Sequence, residues 1–169
     1  VYNSPKPSSD GKIAFLGHPS KDYSYVAFDV YLSDGKQIKK LTKDLSATPR
    51  ELFWLNEEEL AFSIDDHGAS KVQSVNISSG ELSEKIANFK EQFYLSSVHN
   101  DFLFGTYANA KRPSELAVIK NNKVEKLSSF NEVALGQYEL GNTIEINYKA
   151  PDGMDCLLYT SDAADDDAC

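Results

Sequence analysis

Cysteine is almost absent: the chain has two, Cys156 and Cys169, both close to its C-terminal end. A disulfide framework or a thiolate metal site therefore cannot organise the fold. Long apolar runs are missing too. No uninterrupted stretch approaches the roughly 20 residues a membrane-spanning helix needs, and the N-terminus lacks the basic-then-apolar order of a signal peptide. The third absence is an excess of positive charge: 26 Asp and Glu stand against 17 Lys and Arg, a formal net of −9, whereas nucleic-acid binding favours a basic stripe. Neither nucleic acid nor membrane is an expected partner. No G-x-S-x-G nucleophile elbow occurs, and no Ser-Asp-His order can be assembled around a glycine-flanked serine. The sequence thus offers no catalytic, cofactor-binding or metal-ligating residue, and no cofactor is expected.

The histidines and acidic clusters do not change this. His18, His67 and His99 are far apart and each falls in a loop, where a lone histidine reads as a surface residue. Asp65-Asp66-His67 has metal-ligand chemistry, but three adjacent residues of a loop rarely converge on one ion, so a solvated turn is expected. Glu57-Glu58-Glu59 reads the same way. Trp54, Phe53, Phe62 and Phe102 are expected to pack between blades rather than to stack bases or sugars.

What is present is a repeated phrase. Ser8-Ser9-Asp10-Gly11 is a polar turn suited to positive φ, and it runs into the apolar strand Lys12-Ile13-Ala14-Phe15-Leu16. Leu52 to Ser63 repeats the phrase with a more acidic turn, and Val98 to Gly105 repeats it with Asn100-Asp101. Recurrence at roughly 45 residues is the signature of four-stranded propeller blades. With 41% hydrophobic and 11% aromatic residues the chain has enough apolar surface to fold. The fold class predicted is all-β: a partial β-propeller of about three four-stranded antiparallel blades.

Val1 to Pro7 reads as the Pro-rich entrance to the first blade, whose strands follow at 12–16, 25–32 and 37–41. Gly17 to Ser24 is a long surface loop, and lysines on the outer strand guard its edge against pairing. The second blade takes 48–54, 60–64, 72–77 and 81–87, and the third takes 92–97, 102–107, 115–119 and 123–127 with Asn121-Asn122 as its last turn. Glu132 to Tyr138 is not a blade element. Thr143 to Lys149 is a lone alternating strand ending at Ala150-Pro151-Asp152-Gly153.

These residues carry a family resemblance. Ser9-Asp10-Gly11-Lys12-Ile13-Ala14-Phe15, Gly17-His18, Asp29-Val30-Tyr31 and Lys40-Leu41-Thr42 resemble the blade text of prolyl oligopeptidase family serine peptidases, in their acylaminoacyl-peptidase and dipeptidyl-peptidase branches. Arg112-Pro113-Ser114-Glu115-Leu116 with Lys126-Leu127-Ser128-Ser129-Phe130-Asn131 is similar to the last blade before that family's hydrolase domain. Ile146 to Gly153 resembles the strand that opens the domain. Asn56-Glu57-Glu58-Glu59 departs from the family's Pro-Asp-Gly-Lys turn. The resemblance implies propeller blades over 1–131, then a linker and the first strand of a missing α/β-hydrolase domain over 132–155. It also implies a non-catalytic role: the propeller would gate oligopeptide access to a hydrolase domain that this chain lacks, and that domain would be its partner. An alternative is a fragment of a stand-alone propeller that binds proteins, resembling the periplasmic Tol-associated type.

Cys156-Leu157-Leu158-Tyr159-Thr160-Ser161-Asp162-Ala163-Ala164-Asp165 resembles the translation of a transposon-end sequencing adapter, a contaminant of metagenomic gene predictions. Residues 156–169 are accordingly expected to be a non-native tail with no fixed structure. Without its four Asp, 22 acidic groups face 17 basic ones, a net of −5. A first residue of Val running almost directly into a strand leads us to expect that the natural N-terminus is missing. Compartment is then left open, with the cytoplasm favoured over the periplasm or secretion.

Overall fold

The computed structural model describes residues 2–19, 26–43, 45, 47–66, 68–84 and 91–161. Twelve of its strands form three four-stranded antiparallel sheets in sequential order. The first contains β1 (Tyr2–Pro7), β2 (Ile13–Gly17), β3 (Asp29–Ser33) and β4 (Ile38–Lys40). The second contains β5 (Pro49–Trp54), β6 (Glu59–Asp66), β7 (Ala69–Asn76) and β8 (Leu82–Glu84). The third contains β9 (Gln92–His99), β10 (Phe102–Asn109), β11 (Arg112–Lys120) and β12 (Lys123–Lys126). Three propeller blades are therefore present, as the repeated phrase predicts.

The turns form for local reasons. Asn100 and Asp101 have φ of 46° and 63°, and Asn121 and Asn122 have 50° and 59°. Two successive positive values are what a tight hairpin needs, and Asn and Asp tolerate them. The acidic turn of the second blade is held by Asn56, whose Oδ1 accepts from the Glu58 and Glu59 amides at 2.8 and 2.9 Å. Asp34 does the same for Lys36 and Gln37, both at 2.8 Å.

Several expectations are corrected. Val1 to Pro7 supplies a strand, not an entrance: Tyr2 to Pro7 pairs with β2 along the sheet edge, where prolines cost no ladder bond. The register slips between Asn3 and Lys6, and Ser4 takes a φ of 51° there. β5 slips in the same place, between Arg50 and Phe53, and β9 slips opposite Gly105. Each innermost strand thus carries a bulge that bends it. The third strand of the first blade starts at Asp29 rather than residue 25, and most of the long loop after Gly17 lies outside the described residues.

Successive blades bury alternate faces of their strands. Ala14, Leu16 and Val30 of the first blade meet Leu60, Phe62, Ile64 and Val75 of the second. Ala61 and Val72, on the other face of the second blade, meet Phe93, Leu95, Leu103 and Ile119 of the third. Small Ala14 and Ala61 make room for the large side chains of the following blade. Trp54 and Phe62 lie at the first interface and Phe53 at the second, as expected. Phe102 does not. It sits on the far face of the third blade, 6.4 Å from the Phe104 ring and beneath Lys120. Cross-blade polar bonds add to the packing: Trp54 Nε1 donates to the Lys6 carbonyl at 2.9 Å, and Lys39 Nζ donates to the Ile77 and Ser78 carbonyls at 2.9 and 3.0 Å. The outer-strand lysine at 39 is a strap as well as an edge guard.

After the blades comes a short helix, α1 (Glu132–Leu135), where no blade element was predicted. β13 (Thr143–Lys149) is not alone: it pairs in register with β14 (Asp155–Ser161) across the Ala150–Gly153 turn. Residues 156–161 therefore have structure where none was expected. Leu157 to Thr160 is rich in β-formers, and the turn before it brings those residues opposite β13, which suffices for a hairpin. Residues 162–169 lie outside the described residues. Neither hairpin strand packs extensively against a blade.

Candidate functional site

The site grows out of a device used twice to close a blade. In the first blade Thr42 follows β4, and its hydroxyl accepts from the Val30 amide at 2.9 Å while donating to Asp29 Oδ1 at 3.0 Å. The other Asp29 oxygen takes Lys40 Nζ at 2.7 Å. In the third blade Ser128 plays the part of Thr42: it accepts from the Leu116 amide at 2.9 Å and donates to Glu115 Oε2. The aligned backbone bonds match, Leu41 to Val30 at 2.8 Å and Leu127 to Leu116 at 2.7 Å. The second blade has Lys71 where the others have the acid, and Lys71 turns instead to Asp66 at 2.5 Å.

Glutamate is one methylene longer than aspartate, and that extra reach changes what the third clamp holds. Glu115 extends past the end of β12 and accepts from the Phe130 amide at 3.1 Å, the Asn131 amide at 2.8 Å and Asn131 Nδ2 at 2.9 Å. One buried carboxylate thus ties the last blade to the segment that leads into α1. The donors favour its charged form, Ser128 foremost and the Asn131 amide next, and hold its carboxyl down at about 2.

Saturating Glu115 leaves Lys126 without the partner that its counterpart Lys40 has in the first blade. Lys126 lies over the Tyr107 ring, 5.6 Å from its centroid, and opens onto a cleft of about 440 Å³. Lys111 and Arg112, from the β10–β11 turn and the start of β11, also line it, as do Leu135, Tyr138 and Leu140. Beside the cleft, Tyr107 donates to Glu91 and Asn109 Nδ2 donates to Glu91 Oε1 at 2.6 Å. The Glu91 carbonyl accepts from the Ser70 amide of the second blade at 3.1 Å, so this knot joins two blades. Burial, then the bond to Glu91, pushes the Tyr107 hydroxyl up to about 12.

The residues considered from sequence do not gather here. His18 is buried at 4% exposure, edge-on to Phe28 at 5.0 Å, and so is a packed residue rather than a surface one. His99 is exposed at the end of β9 beside Asn100, and His67 lies outside the described residues. Asp65 pairs with Arg50 at 2.8 Å and Asp66 with Lys71, on opposite faces of β6. Glu57 and Glu58 are solvated. The sequence signal for the clamp is one spacing used twice, Asp29-Val30 before Lys40-Leu41-Thr42 and Glu115-Leu116 before Lys126-Leu127-Ser128.

No family model and no curated protein sequence matches the chain. Solved structures do. The acylaminoacyl peptidase of Pyrococcus horikoshii superposes with a TM-score of 0.72 at 19% identity, over 86% of this chain and 22% of that one. The β-propeller domain of the Trilobed protease from Pyrococcus furiosus gives 0.58 at 17% identity, over 72% of this chain and 36% of that one. The fold is that of β-propeller blades. Dipeptidyl peptidase 4 of Porphyromonas gingivalis gives 0.66 at 17% identity, over 92% of this chain and 22% of that one. The chain spans about a fifth of the length of the first peptidases it matches, 22%.

Proposed function

We propose that the chain is the non-catalytic propeller part of a serine-type oligopeptidase, with blades over 1–131, a linker and the opening strand of an α/β-hydrolase domain over 132–155, and an adapter-derived tail over 156–169. The observation that carries this reading is the superposition of the chain on peptidases over most of its length, 92% for one and 97% for another. In the whole enzyme the blades would cover the active site and admit only short, unfolded peptides, a positioning role that leaves the chemistry to the hydrolase domain. The Glu115 clamp fits that role, because it fixes the angle at which the chain leaves the last blade. Exposed Phe130 and Val133 beyond the clamp would then be covered by the hydrolase domain.

The test is to recover the source DNA beyond the codon for Asp155. A downstream frame encoding G-x-S-x-G at a strand-to-helix turn is expected, and the longer protein should label with a fluorophosphonate while the present chain does not. A stop, or a further blade in place of a hydrolase domain, overturns the reading and favours a stand-alone binding propeller.

A further inference from the structure

From the cleft beside the Glu115 clamp we infer that this chain binds a monocarboxylate with an apolar body, of which the free C-terminal residue of a peptide is the expected form. The argument begins with the comparison of blades. Lys40 spends its charge on Asp29, whereas Lys126 at the matching position faces a carboxylate already filled by Ser128, Phe130 and Asn131. Lys126, Lys111 and Arg112 form no ion pair among the described residues; Lys111 donates only to the neutral Asn142 Oδ1, at 2.6 Å. Glu115, Glu132 and Glu139 share the lining, but none of the three cations is held by a carboxylate, so their donors are open to an incoming anion.

The apolar part of the lining sets the rest of the ligand. Leu135, Tyr138 and Leu140 offer apolar surface, and a volume of about 440 Å³ falls in the range that holds a small ligand. Glu132 and Glu139 also line the cleft and pair with none of the three cations. They repel a second acidic group, so the body beyond the carboxylate is neutral. This proposal stands apart from the peptidase reading, since it concerns a cleft built entirely within the present chain.

The experiment titrates the ¹⁵N-labelled chain with N-acetyl-alanyl-phenylalanine, with its C-terminal amide and with octanoate, following the amides of Ser128, Asn131 and Gly136. The peptide acid should shift these amides with an affinity about tenfold above the amide, and added salt should weaken it. Arg112→Gln and Lys126→Gln should each lower the affinity about tenfold, with Lys123→Gln, on β12 outside the cleft, unchanged. Unchanged far-UV circular dichroism melts establish that the variants remain folded. Octanoate binding as tightly as the peptide acid assigns the site to apolar carboxylates at large. Equal binding of acid and amide, shifts that ignore both substitutions, or no shift at tens of millimolar peptide overturns the proposal.

Discussion

Replacing Gly105 by alanine puts a methyl group where the fold leaves no room. Matching the registers, Gly105 of β10 stands where Phe15 stands in the first blade and Phe62 in the second, opposite the bulge of the innermost strand. The space those phenylalanines fill is taken in the third blade by the fully buried ring of Phe93, from the neighbouring strand. A Cβ on residue 105 would lie 2.9 Å from Cε1 and Cζ of that ring and well inside contact with the Tyr94 carbonyl oxygen. The ring can tilt, but the carbonyl is backbone within a paired strand and cannot. Overpacking costs about 1–3 kcal/mol, and the backbone contact puts this site at the upper end. Lower freedom of the unfolded chain returns about 0.4–1 kcal/mol, leaving a net loss near 2 kcal/mol. Urea unfolding followed by circular dichroism should therefore show a midpoint lower by about 1 M, at a slope of about 2 kcal/mol/M. Phe93→Leu removes the ring but not the carbonyl, so adding Gly105→Ala to Phe93→Leu should still destabilise. A midpoint unchanged or raised by Gly105→Ala would refute the close-approach account of this glycine.

Phe62→Ala, at the centre of the first blade interface and fully buried, should cost about 3–5 kcal/mol in the same melt. Thr42→Val leaves the buried Val30 amide without an acceptor and should cost about 1–3 kcal/mol; a loss under half of that would show the hydroxyl to be dispensable. Glu115 has its folded pKa held at about 2 against an ordinary 4.5, so its contribution to stability is present above about 4.5 and is lost as pH falls towards about 2. A carboxyl ¹³C titration should place the midpoint near the lower value, and Glu115→Gln should flatten the acid limb of the stability profile in that window. Deleting residues 156–169 removes β14 yet should leave blade melting within about 0.5 kcal/mol, because neither hairpin strand packs extensively on a blade. A larger loss would make the tail part of the native fold.

How far the sequence could be read depended on whether a feature was local. The turns at Asp34, Asn56, Asn100 and Asn121 are written in the residues that make them, so the blades and most strand positions were legible. β1 was not, because its prolines argue against a strand and only the edge position, a tertiary fact, makes them harmless. The burial of His18 is tertiary in the same way, since it depends on where Phe28 comes to lie. β14 pairs with β13 whatever the origin of its residues, because hairpin formation responds only to their chemistry and to the turn before them. The clamp is the most instructive case. An acid one residue before a β-branched or Leu position, followed thirteen residues later by the hydroxyl of Lys-Leu-Thr or Lys-Leu-Ser, appears in the first and third blades, and its meaning comes from comparing the two. Asp keeps the lysine and closes the blade upon itself, whereas Glu reaches the outgoing chain and releases the lysine into a cleft. A single methylene thereby separates a blade that only stacks from one that anchors what comes next, and Glu115→Asp should move the third blade towards the first: Lys126 drawn back to the carboxylate, and the Phe130 and Asn131 amides exchanging faster with solvent. If those amides kept their protection in Glu115→Asp, the reach of the side chain would not be what fixes the exit.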